Sequence, residues 1–331
     1  MGSNKRSNVT RLLAVCATAS IVMLALHPSH AQAYPTKPVR LLVPYPAGGP
    51  NDVLARVLAQ RLSSALAQQF VVDNRGGASG IIAAELAARA PADGHTLLFA
   101  GAATLATAPA LRVRLTYDPV RDFAPVSLIG SAPLMLVVYP AVPAKNAAEL
   151  VALARSKPGA LNYASGGVGG LSHLAAELLR GMTGIDIVHV PFTGGAPSTL
   201  ATVSGEVQMF FAGMASALPM VKQGKLRSLG VTSAQRSAMA PDVVTLSESS
   251  VPGYELVTWF ALVGPAATPR HVVMKLNSQI AADLAAADVR KAFVDLGVDA
   301  QSSKPEALAD YTRSELVKWR DLIKQAGIKP E

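Results

Sequence analysis

Short β-rich runs and apolar patterns at helical spacing alternate along most of the chain. Residues 39–45 are predicted to form a strand, and residues 51–70 place Val53, Leu54 and Val57 on one face of a helix. Further strands are predicted at 71–74, 96–100, 126–139, 161–164, 185–190, 207–211, 226–232 and 257–263, and further helices at 81–90, 147–156, 171–181, 196–204 and 216–223. Tight strand-to-helix turns and long crossovers favour a mostly parallel sheet, and therefore an α/β fold.

The order of these elements predicts two domains. Few helices follow Ala100 to cover the first group of strands, whereas residues 270–327 hold two or three amphipathic helices after a loop at 241–254 and a strand. We therefore expect the C-terminal helices to return to the first group. The expected lobe 1 is discontinuous, at 34–132 and 256–331, and lobe 2 is inserted at 133–255.

The first 33 residues have the pattern of a signal peptide. Lys5, Arg6 and Arg11 precede an apolar run at 12–26, and Ala31-Gln32-Ala33 gives a small-x-small cleavage pattern. The run is about 15 residues long, short of the roughly 20 of a spanning helix, so a membrane anchor is the weaker interpretation. Cleavage after residue 33 predicts a periplasmic protein that is soluble once processed.

Composition then sharpens this picture. The chain has 331 residues, net charge +8 and one cysteine, but Cys16 and three basic residues fall in the predicted signal peptide. The remaining 298 residues carry +5 and no cysteine, so an apolar core must hold the fold, and half of the full chain is apolar. The basic residues are dispersed without interleaved aromatics, which argues against nucleic acid as a partner.

Four glycine-rich turns stand where binding is expected. The turns at 44–52, 76–84, 165–173 and 191–198 each follow a predicted strand and open a helix, so in a parallel sheet they lie at ligand-binding strand ends. Their small residues leave backbone N–H groups open to a compact anion, and none contains Lys or Arg. The alternative is that the glycines only shape the turns and cap the helices.

Neither an enzyme active site nor a cofactor or metal site is expected. The segment from Gly167 to Ser172 nearly spells a dinucleotide fingerprint, but the last glycine and the downstream acid are missing, and no Walker loop or H-E-x-x-H motif occurs. The histidines after residue 33 are widely spaced and have no cysteine partners. His173 is the one placed to meet a ligand, with a helix-end hydrogen bond as the alternative.

Ten short motifs occur in order along the chain. They are YPTKPVR at 34–40, VPYPAGGPND at 43–52, DNRGGASG at 73–80, ADGHTLL at 92–98, YDPVRDF at 117–123, LNYAS at 161–165, HLAAE at 173–177, HVPF at 189–192, GGAP at 194–197 and VTSAQR at 231–236. Together they resemble the Bug-type periplasmic substrate-binding proteins of tripartite tricarboxylate transporters. The resemblance implies a type II periplasmic-binding-protein fold whose two lobes close on a small carboxylate.

The resemblance also implies ligand contacts from both lobes. From lobe 1 these are Tyr45, Ala47, Gly48, Gly49, Asp52, Ala78, Ser79 and Thr104. From lobe 2 they are Ser165, Gly169, His173, Gly194, Gly195 and Ala196, with Trp259 near the hinge. The residue type and predicted strand alone favour a core position for Trp259. The implied function is a non-catalytic receptor that delivers a carboxylate to membrane transporter subunits.

Four departures from the family pattern predict a less polar ligand. Ile81 stands where the family often has Asn, Gly170 where it has Ser or Thr, and Gln208 and Ala212 where it has Asp. Fewer polar groups in a buried cleft leave fewer partners for a polar ligand. We therefore expect an aromatic or aliphatic carboxylate in preference to citrate or aspartate.

Two other functions are compatible with the same fold. The protein would be a sensor partner if its closed form bound a signalling ectodomain instead of a permease, and the sequence does not separate these two. A periplasmic enzyme using His173 with Ser165 or Ser172 is disfavoured, because no base and orienting group can be assigned.

Overall fold

The computed structural model describes residues 34–45, 47–77, 80–111 and 115–327. The predicted signal peptide at 1–33 and the predicted contacts Ala78 and Ser79 lie outside the described residues. The unit Lys37–Glu331 is compact and is described by itself below. Within the described ranges, no helix has both the length and the apolar character needed to cross a membrane.

Strands and helices alternate in the predicted order. The strands are β1 (Val39–Val43), β2 (Phe70–Asn74), β3 (Thr96–Gly101), β4 (Phe123–Val138), β5 (Asn162–Ser165), β6 (Val188–Pro191), β7 (Met209–Gly213), β8 (Arg227–Val231), β9 (Val257–Pro265) and β10 (Asp299–Ala300). The helices are α1 (Pro50–Leu66), α2 (Ile81–Ala88), α3 (Ala108–Leu111), α4 (Ala147–Ser156), α5 (Leu171–Thr183), α6 (Gly195–Ser204), α7 (Met214–Lys222), α8 (Leu246–Ser249), α9 (Arg270–Ala285), α10 (Ala287–Asp295) and α11 (Pro305–Gln325). A π-helical turn at Ala103–Thr107 leads into α3.

Local sequence explains several of these boundaries. Pro50 occupies the first turn of α1, where its missing N–H costs no helical bond. The Asn146 side chain accepts a hydrogen bond from the Glu149 amide and so caps α4. Gly184 adopts the left-handed conformation that ends α5, at a φ of 66°.

The sheet is parallel in two places and antiparallel where these places join. β2, β1 and β3 are parallel neighbours, and so are β6, β5 and β7. β9 and β4 lie between the two groups and pair in the antiparallel sense with their neighbours. The predicted parallel pairing is therefore found within each group, but the sheet as a whole is mixed.

The long strand β4 takes part in both groups. Its first part, up to Pro133, pairs with β9, and its last part, from Leu134, pairs with β7 on one side and β8 on the other. The register of β4 on β9 shifts twice, between Pro125 and Ser127 and between Leu128 and Gly130. Such bulges increase strand twist and bend the strand locally.

Because the strands of each group run parallel, their carboxyl ends share an edge. β1, β2 and β3 end at Val43, Asn74 and Gly101, so the loops that follow them meet at one edge of this group, within the expected lobe 1. β5, β6 and β7 arrange the second set of loops in the same way. The four glycine-rich turns therefore lie in two sets, one at each edge.

The C-terminal helices pack on both β4 and earlier helices. α9 contacts α1 and β4, whereas α11 contacts β4, the π-helical turn, α3 and α5. One buried core runs through Leu42, Leu98, Tyr163 and Phe211, so apolar packing is continuous from one parallel group to the other.

Candidate functional site

The Asp52 carboxylate organises the first glycine turn. It accepts hydrogen bonds from the Gly48 amide at 2.8 Å, from Asn74 Nδ2 at 2.8 Å and from Arg56 Nε at 2.8 Å. Asn74 also donates to the Tyr45 carbonyl, so the end of β2 is tied to the end of β1. Burial alone would raise the pKa of Asp52, but the bonds from Arg56, Gly48 and Asn74 outweigh it and hold the pKa below its usual range.

The Tyr45 side chain points from this turn toward the end of β3. Its hydroxyl lies 3.1 Å from the position that a Cβ on Gly101 would occupy. Burial raises the pKa of Tyr45 to about 12, so the phenol stays protonated at neutral pH and remains a hydrogen-bond donor. Because Gly101 has no side chain, it does not clash with the Tyr45 hydroxyl at this position.

Thr104, in the π-helical turn after β3, lies where three lobe 1 loops converge. A Cβ on Gly80 would come within 2.5 Å of Thr104 Oγ1 and 3.0 Å of the Pro44 side chain, which places all three segments in contact. Thr104 is fully buried, yet within the described part of the chain Oγ1 has no hydrogen-bond partner. A buried hydroxyl without a partner is costly unless a ligand or water completes it.

The two glycine turns of lobe 2 touch each other. A Cβ on Gly166 would lie 3.3 Å from the Gly194 carbonyl carbon and 3.4 Å from the Gly195 nitrogen. The Ser165 carbonyl accepts bonds from the Phe192 amide at 2.9 Å and from the Ser198 hydroxyl at 2.9 Å. Sites at the ends of β5 and β6 are thereby joined into one surface.

Most amides of the turn after β5 are already used inside the protein. Gly166, Gly167 and Gly169 donate to Ser172 Oγ, Ser165 Oγ and His173 Nδ1, at 3.0, 3.1 and 3.1 Å. Gly170 donates to the Gly167 carbonyl at 3.2 Å. The donors left for a ligand are therefore the first amides of α5, because the helical bonds begin with Leu174 to Gly170.

Gly194, Gly195 and Ala196 form the corresponding end of α6. A Cβ on Gly194 or Gly195 would meet no atom within 4 Å, so these positions face open space. The first backbone bond at this end is from Ser198 to Gly194, at 3.4 Å. The amides of Gly195 and Ala196 precede it and point out of the helix end, where an anion is favoured.

His173 makes a helix-end hydrogen bond and also faces buried polar groups. It is 5% exposed, and its Nδ1 accepts from the Gly169 amide. The neutral ring then carries its proton on Nε2, which lies 3.9 Å from Glu177 Oε1. Burial lowers the pKa of His173, so the imidazole is neutral at neutral pH.

Trp259 belongs to the core rather than to the ligand surface. Its side chain is fully buried and Nε1 donates to Glu315 Oε2 at 2.9 Å. The indole faces α11, so the prediction that Trp259 contacts a ligand near the hinge applies to its backbone and not to its ring. Only its backbone borders the site, with its carbonyl 2.7 Å from the position of a Cβ on Gly101.

The structure thus brings the described site residues into two sets. Tyr45, Ala47, Gly48, Gly49, Asp52 and Thr104 gather in lobe 1, and Ser165, Gly169, His173, Gly194, Gly195 and Ala196 gather in lobe 2. Within the described ranges, no hydrogen bond or ion pair joins one set to the other. No group of three or more described His, Cys, Asp or Glu residues is arranged to hold a metal ion.

Residues 54–328 match the family described as the tripartite tricarboxylate transporter family receptor. The chain belongs to this receptor family. A named relative is the Protein BugT of Bordetella pertussis, 34% identical over 327 residues that cover 97% of this chain and 99% of that protein. The resemblance to the Bug-type binding proteins is thereby confirmed.

Solved structures that are similar to this chain confirm the two-lobe fold. Rpa4515 of R. palustris with adipate is 36% identical, covers 90% of this chain and 100% of that chain, and gives a TM-score of 0.69. MatC of Rhodopseudomonas palustris with bound malate is 33% identical, with 88% and 100% covered and a TM-score of 0.64. A TctC solute-binding protein from Polaromonas, with no ligand, is 28% identical, with 88% and 99% covered and a TM-score of 0.81.

Two residues that shape the candidate site, Asn74 and His189, are not predicted from the sequence. Asn74 ties two turns together and His189 lies 2.6 Å from Ser165 Oγ, but neither stands inside a glycine turn. Their position at the end of β2 and within the HVPF motif was the available signal. Gln208, one of the four departures from the family pattern, bonds the Asn162 amide and the Gly205 carbonyl.

Proposed function

We propose that this protein is an exported, non-catalytic receptor that captures a small carboxylate between its lobes and delivers it to a tripartite tricarboxylate-type transporter. Family membership supports the receptor role, and two of the related structures contain adipate and malate. The observation that carries the ligand class is the buried hydroxyl of Thr104, which lacks a partner among the described residues at the meeting point of three loops.

A carboxylate fits the donors on both sides. Lobe 1 offers the hydroxyls of Thr104 and Tyr45, and lobe 2 offers the first amides of α5 and α6. All of these donors are neutral. The interaction of the carboxylate with the dipole of each helix adds about 0.3–1 kcal/mol of favourable binding energy. Such a site binds a carboxylate through directed hydrogen bonds rather than through an ion pair.

We further propose that the ligand is less polar than citrate or aspartate. Ala212 is fully buried and Gln208 is engaged elsewhere, so neither adds a polar group to the cleft. Adipate, present in a relative of 36% identity, has an aliphatic chain between its carboxylates and satisfies this description. Isothermal titration should rank adipate above citrate and aspartate, and tighter binding of citrate or aspartate would contradict the proposal.

Closure of the lobes is proposed as the mechanism of capture. We place the lobes at 34–132 with 256–331 and at 133–255, a division supported by the change of partners along β4 after Pro133. Closure would bring the proposed donors of both lobes onto one ligand, and no hydrogen bond or ion pair joins the two sets among the described residues.

Thr104→Val tests the carboxylate site directly. The hydroxyl has no partner in the described chain, so its loss should leave the free energy of unfolding unchanged or slightly increased, whereas adipate affinity should fall by about tenfold. Thr312→Val is the matched control, because the Thr312 hydroxyl donates to the Leu308 carbonyl in α11. The control should lose stability and keep its affinity; unchanged affinity in Thr104→Val would refute the role.

Export is the remaining part of the proposal. The mature protein should begin after residue 33 and be recovered in the periplasmic fraction. Intact-mass measurement of the native protein checks the cleavage, and an uncleaved protein in the membrane fraction would contradict it.

A further inference from the structure

Three aromatic rings pack together next to the glycine turn at 165–173, which we call the ligand turn of lobe 2. The rings of Tyr163 and His189 are 4.9 Å apart and nearly parallel, and those of His189 and His173 are 4.1 Å apart at an interplanar angle of 17°. Tyr163 and His189 are register partners on β5 and β6, whereas His173 comes from α5. We call Tyr163, His173 and His189 the ring cluster.

His189 connects the ring cluster to the turn through the Ser165 hydroxyl. Its Nε2 lies 2.6 Å from Ser165 Oγ, a strong hydrogen bond whichever of the two atoms supplies the proton. Ser165 Oγ in turn accepts from the Gly167 amide at 3.1 Å and lies 3.2 Å from the Gly167 carbonyl. A chain of bonds therefore runs from the His189 ring to the backbone of Gly167.

The backbone of this turn depends on such bonds. Gly167 and Gly169 have φ values of 131° and 76°, conformations in which glycine is favoured and which local bonds must select. Gly166 is held by Ser172 and Gly169 by His173, while the Ser165 hydroxyl holds Gly167 between them. The turn ends at α5, so its shape sets the direction of the amides proposed to bind the ligand.

Burial keeps both imidazoles of the ring cluster neutral, although the nearby Glu177 carboxylate favours their protonation. Burial, followed by repulsion from His173, lowers the pKa of His189 to about 4. Glu177, on α5, faces the cluster, and its Oε1 accepts a hydrogen bond from the Tyr163 hydroxyl at 2.6 Å. Arg180 forms an ion pair with the same carboxylate, with Nη1 2.7 Å from Oε2. The His189–Ser165 bond is therefore a bond between neutral groups at the pH of the periplasm.

We propose that His189 is a positioning residue for the ligand turn of lobe 2, acting through Ser165 and the Gly167 amide. This inference rests on the proposed carboxylate-binding function of the turn. It assigns to His189 a role distinct from that of His173, which bonds the turn at Gly169. A direct ligand contact by His189 is the competing role, and it predicts that His189 acts independently of Ser165.

A double-mutant cycle separates these roles. His189→Leu should weaken adipate binding by about tenfold, and Ser165→Ala should have a similar effect. If His189 acts through Ser165, the double variant should bind about as weakly as either single one, because the second change removes nothing more. Effects that multiply would overturn the proposal and favour direct contact.

His189→Gln provides the rescue. The Gln amide reaches the position of Nε2 and can either donate to or accept from Ser165, so binding should return to within about threefold of the unchanged protein. If His189→Leu fails to fold, the comparison of His189→Gln, Ser165→Ala and their double variant still tests the coupling. Wild-type affinity in Ser165→Ala would also overturn the proposal.

A readout without ligand keeps this test distinct from the test of function. In ¹⁵N-glycine-labelled protein, the Gly167 amide resonance should shift in His189→Leu as it does in Ser165→Ala, and should stay near its original position in His189→Gln. If no carboxylate binds but these shifts occur, the proposed function fails and the positioning role stands. A Gly167 resonance unmoved in His189→Leu would end the positioning role by itself.

Discussion

At the scale of single residues, Asp52 shows how a buried carboxylate shapes a glycine turn through its neighbours. It is 1% exposed and holds the Gly48 amide, the Asn74 side chain and Arg56 together. The sequence predicted that Asp52 belongs to the site but not how it acts, because Asn74 is 22 residues away along the chain. The pairing depends on β1 and β2 being neighbours, which local sequence does not encode.

Asp52→Ala should damage both the fold and the site. It leaves the Gly48 amide and the Asn74 amide without their acceptor, so we expect a loss of about 2 kcal/mol in unfolding free energy and weaker adipate binding. Denaturant titration and calorimetry measure the two effects. Asp52→Asn keeps an acceptor oxygen and should lose less; equal loss in both variants would contradict this account of the turn.

Gly80→Ala should be more harmful than the positive φ alone explains. Gly80 has φ of 90°, and an added Cβ would come within 2.5 Å of Thr104 Oγ1. Gly224→Ala is the matched control, with φ of 69° and open space around the added Cβ, and it should cost about 1 kcal/mol. Gly80→Ala should have a lower melting temperature than Gly224→Ala in thermal unfolding. Only Gly80→Ala should weaken ligand binding.

The ring cluster gives stability a dependence on pH. The pKa of His189 is about 4 in the folded protein, below the value of about 6.5 in an unfolded chain, so between these values the unfolded chain binds more protons. Stability is then fully present above pH 6.5 and falls as the pH drops toward 4. In His189→Gln, the unfolding free energy should change less with pH across this range, as measured by denaturation curves at several pH values. An equal pH dependence in the two proteins would contradict the attribution to His189.

At the scale of elements, regular helices were easier to predict than the connections between strands. The helix Ala147–Ser156 was predicted to the residue, because its apolar spacing is regular and Asn146 caps it. The π-helical turn at Ala103–Thr107 and the two-residue strand β10 were missed. A π-turn has the same side-chain types as an α-helix, and β10 exists only because β4 offers it a partner at Gly130 and Ser131.

The loop predicted at 241–254 contains a short helix, α8, which a capping box explains. The Thr245 hydroxyl accepts from the Glu248 amide, and the Glu248 carboxylate accepts from the Thr245 amide. The motif is visible in the sequence, but the helix is four residues long and has no apolar period to reveal it.

The prediction of a mostly parallel sheet was wrong in part, because β9 is antiparallel to both β3 and β4. The direction of β9 depends on where the chain re-enters lobe 1, which the local sequence does not encode.

The docking of α11 on β9 depends on Glu315. This carboxylate is 1% exposed and accepts from the indoles of Trp259 and Trp319, each at 2.9 Å, while Lys318 pairs with its other oxygen. Glu315→Leu leaves two buried indole N–H groups unpaired and should cost about 3 kcal/mol in unfolding free energy. Glu306→Leu, on the exposed face of the same helix, is the control and should change stability little.

Ligand affinity distinguishes this packing role from the site. Because Glu315 faces the core, Glu315→Leu should keep its adipate affinity once the fraction folded is taken into account. A specific loss of affinity at full folding would show that α11 also positions the ligand loops.

At the scale of the whole molecule, β4 joins two groups of strands that each present loops at one edge. The family comparison and the strand pairings agree on a two-lobe fold, whereas the lobe boundaries stay a proposal. Sequence periodicity predicted the groups because each is a run of strand and helix units. The predicted strand at 126–139 is likewise found as one long strand, β4, which pairs with both groups. Its two bulges were not predicted, because they depend on the pairing with β9.

Ligand closure should be visible in solution scattering. We expect the radius of gyration to decrease when adipate is added at saturating concentration, because the lobes come together around it. Thr104→Val at a concentration that saturates only the unchanged protein should show a smaller decrease. An unchanged radius with a confirmed tight ligand would contradict the closure mechanism.

The shared acceptor of the two indoles has an optical consequence. Trp259 and Trp319 are the two tryptophans of the chain, and both report on the carboxylate of Glu315. Intrinsic fluorescence therefore monitors one seam, between β9 and α11, and is blind to the glycine turns themselves. A change in emission on adding a carboxylate would mean that ligand binding shifts α11 relative to β9.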